Sequence, residues 1–158
     1  MRAFFYKRRR QDNRGKRSIV LNLKTPEGMA ALHKLLETAD VFLSNVKVTA
    51  LERLGLDGKS LLKQHPHLVC CTVSAYGPDG DDRDRPGYDV GAFWARSSAA
   101  MSHADKEVAM PQIAAPAFGD HATGMTAVGG IMAALWARQK TGKGEIVNTS
   151  LLRTGMYM

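Results

Sequence analysis

A chain of 158 residues, 44% hydrophobic and 23% charged, has the size and balance of one core-bearing domain, which excludes a disordered segment or a fibre. No apolar run approaches the roughly 20 residues that cross a bilayer, and the arginine-rich start lacks the apolar stretch and cleavage site of a signal peptide, so a cytoplasmic protein with no membrane partner is expected. The net charge of +7 is local: residues 1–17 carry eight basic side chains against Asp12, leaving fourteen of each sign in residues 18–158.

The expected division is therefore a basic lead-in, 1–17, and a neutral body, 18–158. Aromatic side chains in the lead-in are confined to Phe4, Phe5 and Tyr6 with no nucleic-acid motif around them, so no nucleic-acid partner is expected. Ser18-Ile19-Val20-Leu21-Asn22-Leu23 alternates apolar and polar residues as a strand does. Thr25-Pro26-Glu27 then supplies an N-cap, a proline at the first helical position and an acid in the first turn. Met29, Leu32, Leu35, Leu36 and Ala39 form one apolar helical face, and Asp40-Val41-Phe42-Leu43 is a short buried strand, completing a β-α-β unit.

Helices over 49–54, stopped by Gly55, and over 58–64, before Pro66, lead to a strongly β-forming run, Leu68-Val69-Cys70-Cys71-Thr72-Val73. Residues 79–86 form a charged turn. Stretches 87–101 and 120–140 are Ala- and Gly-rich helix candidates, the second with a stripe of Met125, Val128, Met132, Leu135 and Trp136 and with Gly142 placed as a left-handed C-cap. A last helix starts near Ser150. Strands alternating with helices predict an α/β fold with a mainly parallel, Rossmann-like sheet and ligands at the strand ends. No G-x-G-x-x-G follows a strand, so nicotinamide and flavin sites are not expected.

Cys70 and Cys71 are adjacent, so on a strand they face opposite ways and offer neither a disulfide framework nor a metal spacing. The five histidines form no H-x-x-x-H or H-x-x-E-H pattern, so no metal ligands are expected. A G-x-S-x-G elbow is likewise lacking. The most informative acid is Asp120, in Gly119-Asp120-His121-Ala122-Thr123-Gly124. It reads either as an N-cap or as a carboxylate held ionised near the positive end of a helix, able to attack a carbonyl, with Gly119 admitting a substrate close to the backbone. His121 projects in a different direction and reads as a helix-terminal histidine. Tyr88-Asp89 reads either as a site-lining loop or as a turn with a helix cap.

Several blocks in order resemble the N-terminal half of the family III CoA-transferases: Asn13-Arg14-Gly15-Lys16-Arg17-Ser18-Ile19, Leu21-Asn22-Leu23-Lys24-Thr25-Pro26-Glu27-Gly28, Asn45, and Leu51-Glu52-Arg53-Leu54-Gly55. Ser74-Ala75-Tyr76-Gly77-Pro78-Asp79-Gly80, Arg85-Pro86-Gly87-Tyr88-Asp89, Gly119-Asp120 and Lys140-Thr141-Gly142-Lys143-Gly144 continue the match. Family members are more than twice as long, so the resemblance is to a piece of the large domain, truncated at both ends. It implies that Asp120 is the nucleophile. It further implies that CoA contacts fall on Leu21, Asn22, Leu23 and Lys24, on Asn45, Val46 and Lys47, on Arg53, and on Gly87, Tyr88 and Asp89. Some of Arg14, Lys16 and Arg17 then meet the phosphates of CoA. The chain departs from the family in having Val46 where an aromatic residue is common, and Val48-Thr49 where a Pro-Gly pair is common.

The activity so implied transfers CoA from an acyl-CoA to a carboxylic acid through aspartyl anhydride and aspartyl-CoA thioester intermediates, with CoA as substrate rather than resident cofactor and with subunits interlocked as a homodimer. An α-methylacyl-CoA racemase resembles the same fold but typically carries histidine where Tyr88 stands, and a tyrosine with a reference pKa near 10 is a poor base at neutral pH. A non-catalytic anion- or nucleic-acid-binding module, using the basic lead-in, is the alternative from another class.

Overall fold

The structure, a computed structural model, describes residues 12–102, 104 and 117–158. Most of the basic lead-in, with Arg2, Lys7, Arg8, Arg9 and Arg10, lies outside the described residues. The chain forms two compact units that part between Lys34 and Leu35.

In the first unit, residues 16–22 take no regular secondary structure. The strand expected over 18–23 is thus not formed, although its alternation is strand-like. Alternation reports which side chains share a face, whereas a strand exists only where a neighbour accepts and donates its ladder bonds; Val20 is 93% exposed. The turn that follows is well made. The carbonyl of Asn22 accepts from the Thr25 N–H and hydroxyl, both at 3.1 Å, and Thr25 Oγ1 accepts the Gly28 N–H at 3.2 Å. Thr25 therefore caps helix α1 (Pro26–Leu36) as expected. Gly28 is required here, because a Cβ on it would overlap the Asn22 carbonyl.

The second unit is built on a three-stranded parallel sheet in the order β1 (Val41–Ser44), β2 (Val69–Ser74), β3 (Ile146–Ser150). Val41 stands opposite Val69 and Cys70 opposite Ile146, so β2 is central and both cysteines are buried and unlinked. β3 was not among the expected strands. Helices α2 (Val48–Leu54) and α3 (Gly58–Gln64) cross from β1 to β2, making the first β-α-β unit of the sheet. Gly55 ends α2 at φ 66°, and Asp57 opens α3 by accepting the Lys59 and Ser60 N–H groups, each at 3.1 Å.

The single helix expected over 87–101 is instead a π-helical segment, Asp89–Ala95, and a short α4 (Ala99–Ser102), separated by Ser98 in the left-handed region at φ 67°. Ala92, Phe93, Trp94 and Ala99 of this stretch form one core cluster with Leu151. The long helix α5 (Phe118–Thr141) precedes β3 and ends at Gly142, φ 69°. Its buried residues are Gly119, Thr123, Ala127 and Ala134, while Met125 and Trp136 are 69% and 65% exposed. The small face, not the bulky stripe, lies on the sheet: a Cβ on Gly130 would come 2.7 Å from Val147 Cγ1. After β3, Ser150 caps α6 (Leu151–Tyr157) by accepting the Arg153 N–H at 3.1 Å. No helix among the described residues is long and apolar enough to cross a membrane.

Candidate active site

Both strand-to-helix crossovers of the second unit are parallel, so the carboxyl ends of β1, β2 and β3 open on one edge of the sheet, the edge where α/β sheets bind ligands. Asn45, Val46 and Lys47 leave that edge directly after β1, all three exposed. Ser44 Oγ accepts the Val46 N–H at 3.1 Å, and Lys47 stands at the N-cap of α2, where its donor-only ammonium cannot cap the helix. Arg53 is exposed in the last turn of α2, where a cation suits the negative end of the helix.

Gly87, Tyr88 and Asp89 lie past the end of β2. A Cβ on Gly87 would come 2.6 Å from Ala75 Cβ and 2.9 Å from the Tyr76 ring, so glycine lets this loop press against the strand end. Tyr88 is 82% exposed, but Asp89 is 7% exposed. Its carboxylate turns inward to the start of α5, where Oδ1 accepts the backbone N–H of Asp120 at 3.0 Å.

Asp120 is therefore not the N-cap of its helix. It is the third residue of α5, exposed in the first turn, and the N-cap position is Ala117, left-handed at φ 60° with no side-chain cap bond. An alanine there has no oxygen to offer, so the orphan N–H of the first turn is satisfied from Asp89, a different element. The His121 N–H is bound to the Ala117 carbonyl at 3.0 Å. Gly119 serves this packing rather than an approaching substrate: a Cβ on it would overlap both the Asp89 carboxylate and the Phe93 ring. The Phe118 ring lies over the same cluster, 5.6 Å from Trp94 and 6.2 Å from Phe93 between centroids.

The second unit thus brings the loop at Gly87 to the end of β2 and joins Asp89 to Asp120, with Asn45, Val46 and Lys47 leaving the same sheet edge. Leu21, Asn22, Leu23 and Lys24 belong to the first unit, where Asn22 Oδ1 accepts the Lys24 N–H at 3.1 Å and the Asn22 and Lys24 side chains are exposed. Sequence reasoning missed the tie between Asp89 and Asp120. They are 31 positions apart, and no local capping pattern spans that distance.

The chemistry this arrangement offers is that of an exposed carboxylate in the first turn of a long helix, in a unit that also presents solvent-facing Lys47 and Arg53. By contrast the thiols on β2 are poor nucleophiles. Burial, with a smaller contribution from the Asp57 charge, pushes Cys70 up to about 11, and burial raises Cys71 as well.

The family profile described as CoA-transferase family III matches residues 7–158. The (R)-2-hydroxy-4-methylpentanoate CoA-transferase of Clostridioides difficile is 38% identical over 146 residues, covering 92% of this chain and 36% of the relative. The succinate–glutarate CoA-transferase of Agrobacterium fabrum is 39% identical over 140 residues, covering 89% and 34%. A CaiB/BaiF family protein from Brucella suis superimposes with a TM-score of 0.85 at 34% identity, over 92% of this chain and 38% of that one. The chain spans about a third of the length of the curated relatives it matches.

Proposed function

The chain belongs to CoA-transferase family III, and we propose that Asp120 is the nucleophile through which it moves CoA from an acyl-CoA thioester to a carboxylic acid. The observation that carries this reading is the placement of Asp120: an exposed carboxylate in the first turn of α5, its own peptide N–H held by buried Asp89.

In the proposed cycle a carboxylate oxygen of Asp120 attacks the thioester carbonyl, the C–S bond breaks, and CoA leaves as the thiolate. The product is a mixed anhydride. The thiolate then attacks the aspartyl carbonyl, expelling the donor acid as its carboxylate and leaving an aspartyl-CoA thioester. The acceptor carboxylate attacks that thioester and releases the thiolate again. Finally the thiolate attacks the acceptor's acyl carbon, giving the new acyl-CoA and regenerating the Asp120 carboxylate. Every step exchanges one activated acyl group for another, so no external energy source enters. Because water would hydrolyse either anhydride, the cycle needs a site closed to solvent during turnover.

In this reading the N–H groups of Asp120 and His121 are not the donors for the tetrahedral oxyanions, because they are already bonded to Asp89 and Ala117. In this reading the second unit contributes Asn45, Lys47, Arg53 and the exposed Tyr88 as CoA contacts. Lys and Arg side chains meet its phosphates. The acid partners and an interlocked homodimer complete the proposal.

The test is to incubate the polypeptide that carries these residues with a panel of acyl-CoAs, trap with hydroxylamine or borohydride, and map the modified residue by mass spectrometry. An adduct on Asp120 that disappears in Asp120→Asn is expected. CoA binding without an adduct, accompanied by exchange of the α-proton of a branched acyl-CoA into D₂O, would replace transfer by racemisation; absence of CoA binding would remove the enzyme reading altogether.

A further inference from the structure

Asp89 differs from the loop residues next to it in where its side chain goes. Tyr88 faces solvent, while Asp89 is buried and spends Oδ1 on the backbone N–H of Asp120 at 3.0 Å. We propose that Asp89 is a positioning residue for Asp120, not a CoA contact; the proposal rests on the reading of Asp120 as nucleophile.

The argument begins with what the helix lacks. The first N–H groups of an α-helix have no partner within the helix, and an Ser, Thr, Asp or Asn at the N-cap ordinarily supplies one. Ala117 supplies none. Asp89 does this work from another element, which changes what the cap holds. A cap in the chain before the helix would tie the nucleophile's turn to the segment leading into it. Asp89 ties it to the π-helical segment, which is itself part of the core through Ala92, Phe93 and Trp94.

Two glycines show how closely that segment is gripped. A Cβ on Gly119 would overlap the Asp89 carboxylate and the Phe93 ring, and a Cβ on Gly155 of α6 would come 2.6 Å from the Phe93 carbonyl. The π-helical segment is therefore pressed between the first turn of α5 and the helix that follows β3. Its own register is set by the Ala92 N–H to Tyr88 carbonyl bond at 2.8 Å and the Arg96 N–H to Gly91 carbonyl bond at 3.0 Å. Rigid packing at one end and a hydrogen bond to the nucleophile's own peptide group at the other fix where the Asp120 carboxylate starts. A misplacement of about 1 Å at a reacting group costs on the order of a hundredfold in rate.

The experiment compares Asp89→Ala, Asp89→Ser and Asp89→Asn in the polypeptide carrying these residues, with Asp120→Asn as control. The rate of Asp120 adduct formation at saturating acyl-CoA and the Kd for CoA are measured separately. Asparagine keeps an acceptor oxygen where Oδ1 stands, whereas alanine has none and serine falls short. Expected is a drop in adduct rate of about a hundredfold for alanine and serine, at least tenfold of it recovered by asparagine, and a CoA Kd within about threefold of the parent throughout. Should alanine fail to fold, serine against asparagine gives the same comparison. A CoA Kd weakened tenfold or more with an unchanged saturated rate would make Asp89 a ligand contact and overturn the proposal, as would an asparagine variant as slow as serine. If Asp120→Asn still forms its adduct, the nucleophile reading fails instead, and that outcome is distinct from any pattern at position 89.

Discussion

Arg138 and Asp40 meet at 2.6 Å across the amino edge of the sheet, far from the end of α5 that carries Asp120. The same guanidinium donates to the His67 carbonyl at 2.8 Å, so the last turns of the helix are pinned to the loops entering both β1 and β2. Asp40 is mostly exposed and Arg138 is not, so the carbonyl bond is the part that water replaces least well.

Arg138→Ala is accordingly expected to lower stability by about 1–2 kcal/mol, and Asp40→Ala by less than about 0.5 kcal/mol. Urea denaturation of the two variants side by side checks the ranking; equal losses would mean that the ion pair, not the carbonyl bond, matters.

Gly119→Ala places a methyl group where the Asp89 carboxylate and the Phe93 ring already lie. Overpacking of this kind costs about 1–3 kcal/mol, so the melting temperature should fall. Gly124→Ala, at a helical position with open space around it, should be neutral or slightly stabilising in the same assay.

Asp57→Ala removes the side-chain cap of α3 and is expected to cost about 1 kcal/mol near neutral pH. Partial burial raises the Asp57 carboxyl, but the hydrogen bonds from Ser60 and Lys59 outweigh it and the net shift is downward. A carboxyl held lower in the folded state binds its proton more weakly there than in the unfolded chain. The stabilisation is therefore present above the unfolded value near 4 and is lost as pH falls through the folded one. The difference between parent and variant should shrink between pH 5 and pH 3, as read from urea midpoints.

Cys70 works in the opposite sense. Its folded value of about 11 lies above that of a free thiol, so the unfolded chain releases the proton first and stability falls as pH rises from about 8.5 toward 11. Native protein should resist iodoacetamide at pH 8 and react on unfolding, and Cys70→Ala should flatten the alkaline decline. Rapid alkylation of the native state would contradict the buried placement.

Much of the second unit was legible because punctuation and pattern agreed: Gly55, Pro66 and Gly142 bound elements whose apolar residues have the right period. Three features were not legible, each for a tertiary reason. The alternation in 18–23 looked like a strand, but no neighbour pairs with it among the described residues. Residues 146–150, short and next to a charged turn, became a strand because β2 offered them a free edge. The Met125 and Trp136 stripe faces outward because the sheet is too close to α5 for anything larger than Gly, Ala or Thr. At the site, a helix-start acid was readable at Asp120 from local residues, whereas the partner that caps its turn lies far along the chain.

The anchoring of α5 at both ends makes its length a specification in its own right. From Asp120 to Arg138 is about five whole turns, so both residues lie along one line of the helix, roughly 27 Å apart. Deleting a single residue between them would swing one end by about 100° against the other while changing no contact residue at all. The helix acts as a spacer cut to measure: which side chain stands beside Asp89 depends on how many residues intervene, as strictly as on what those residues are.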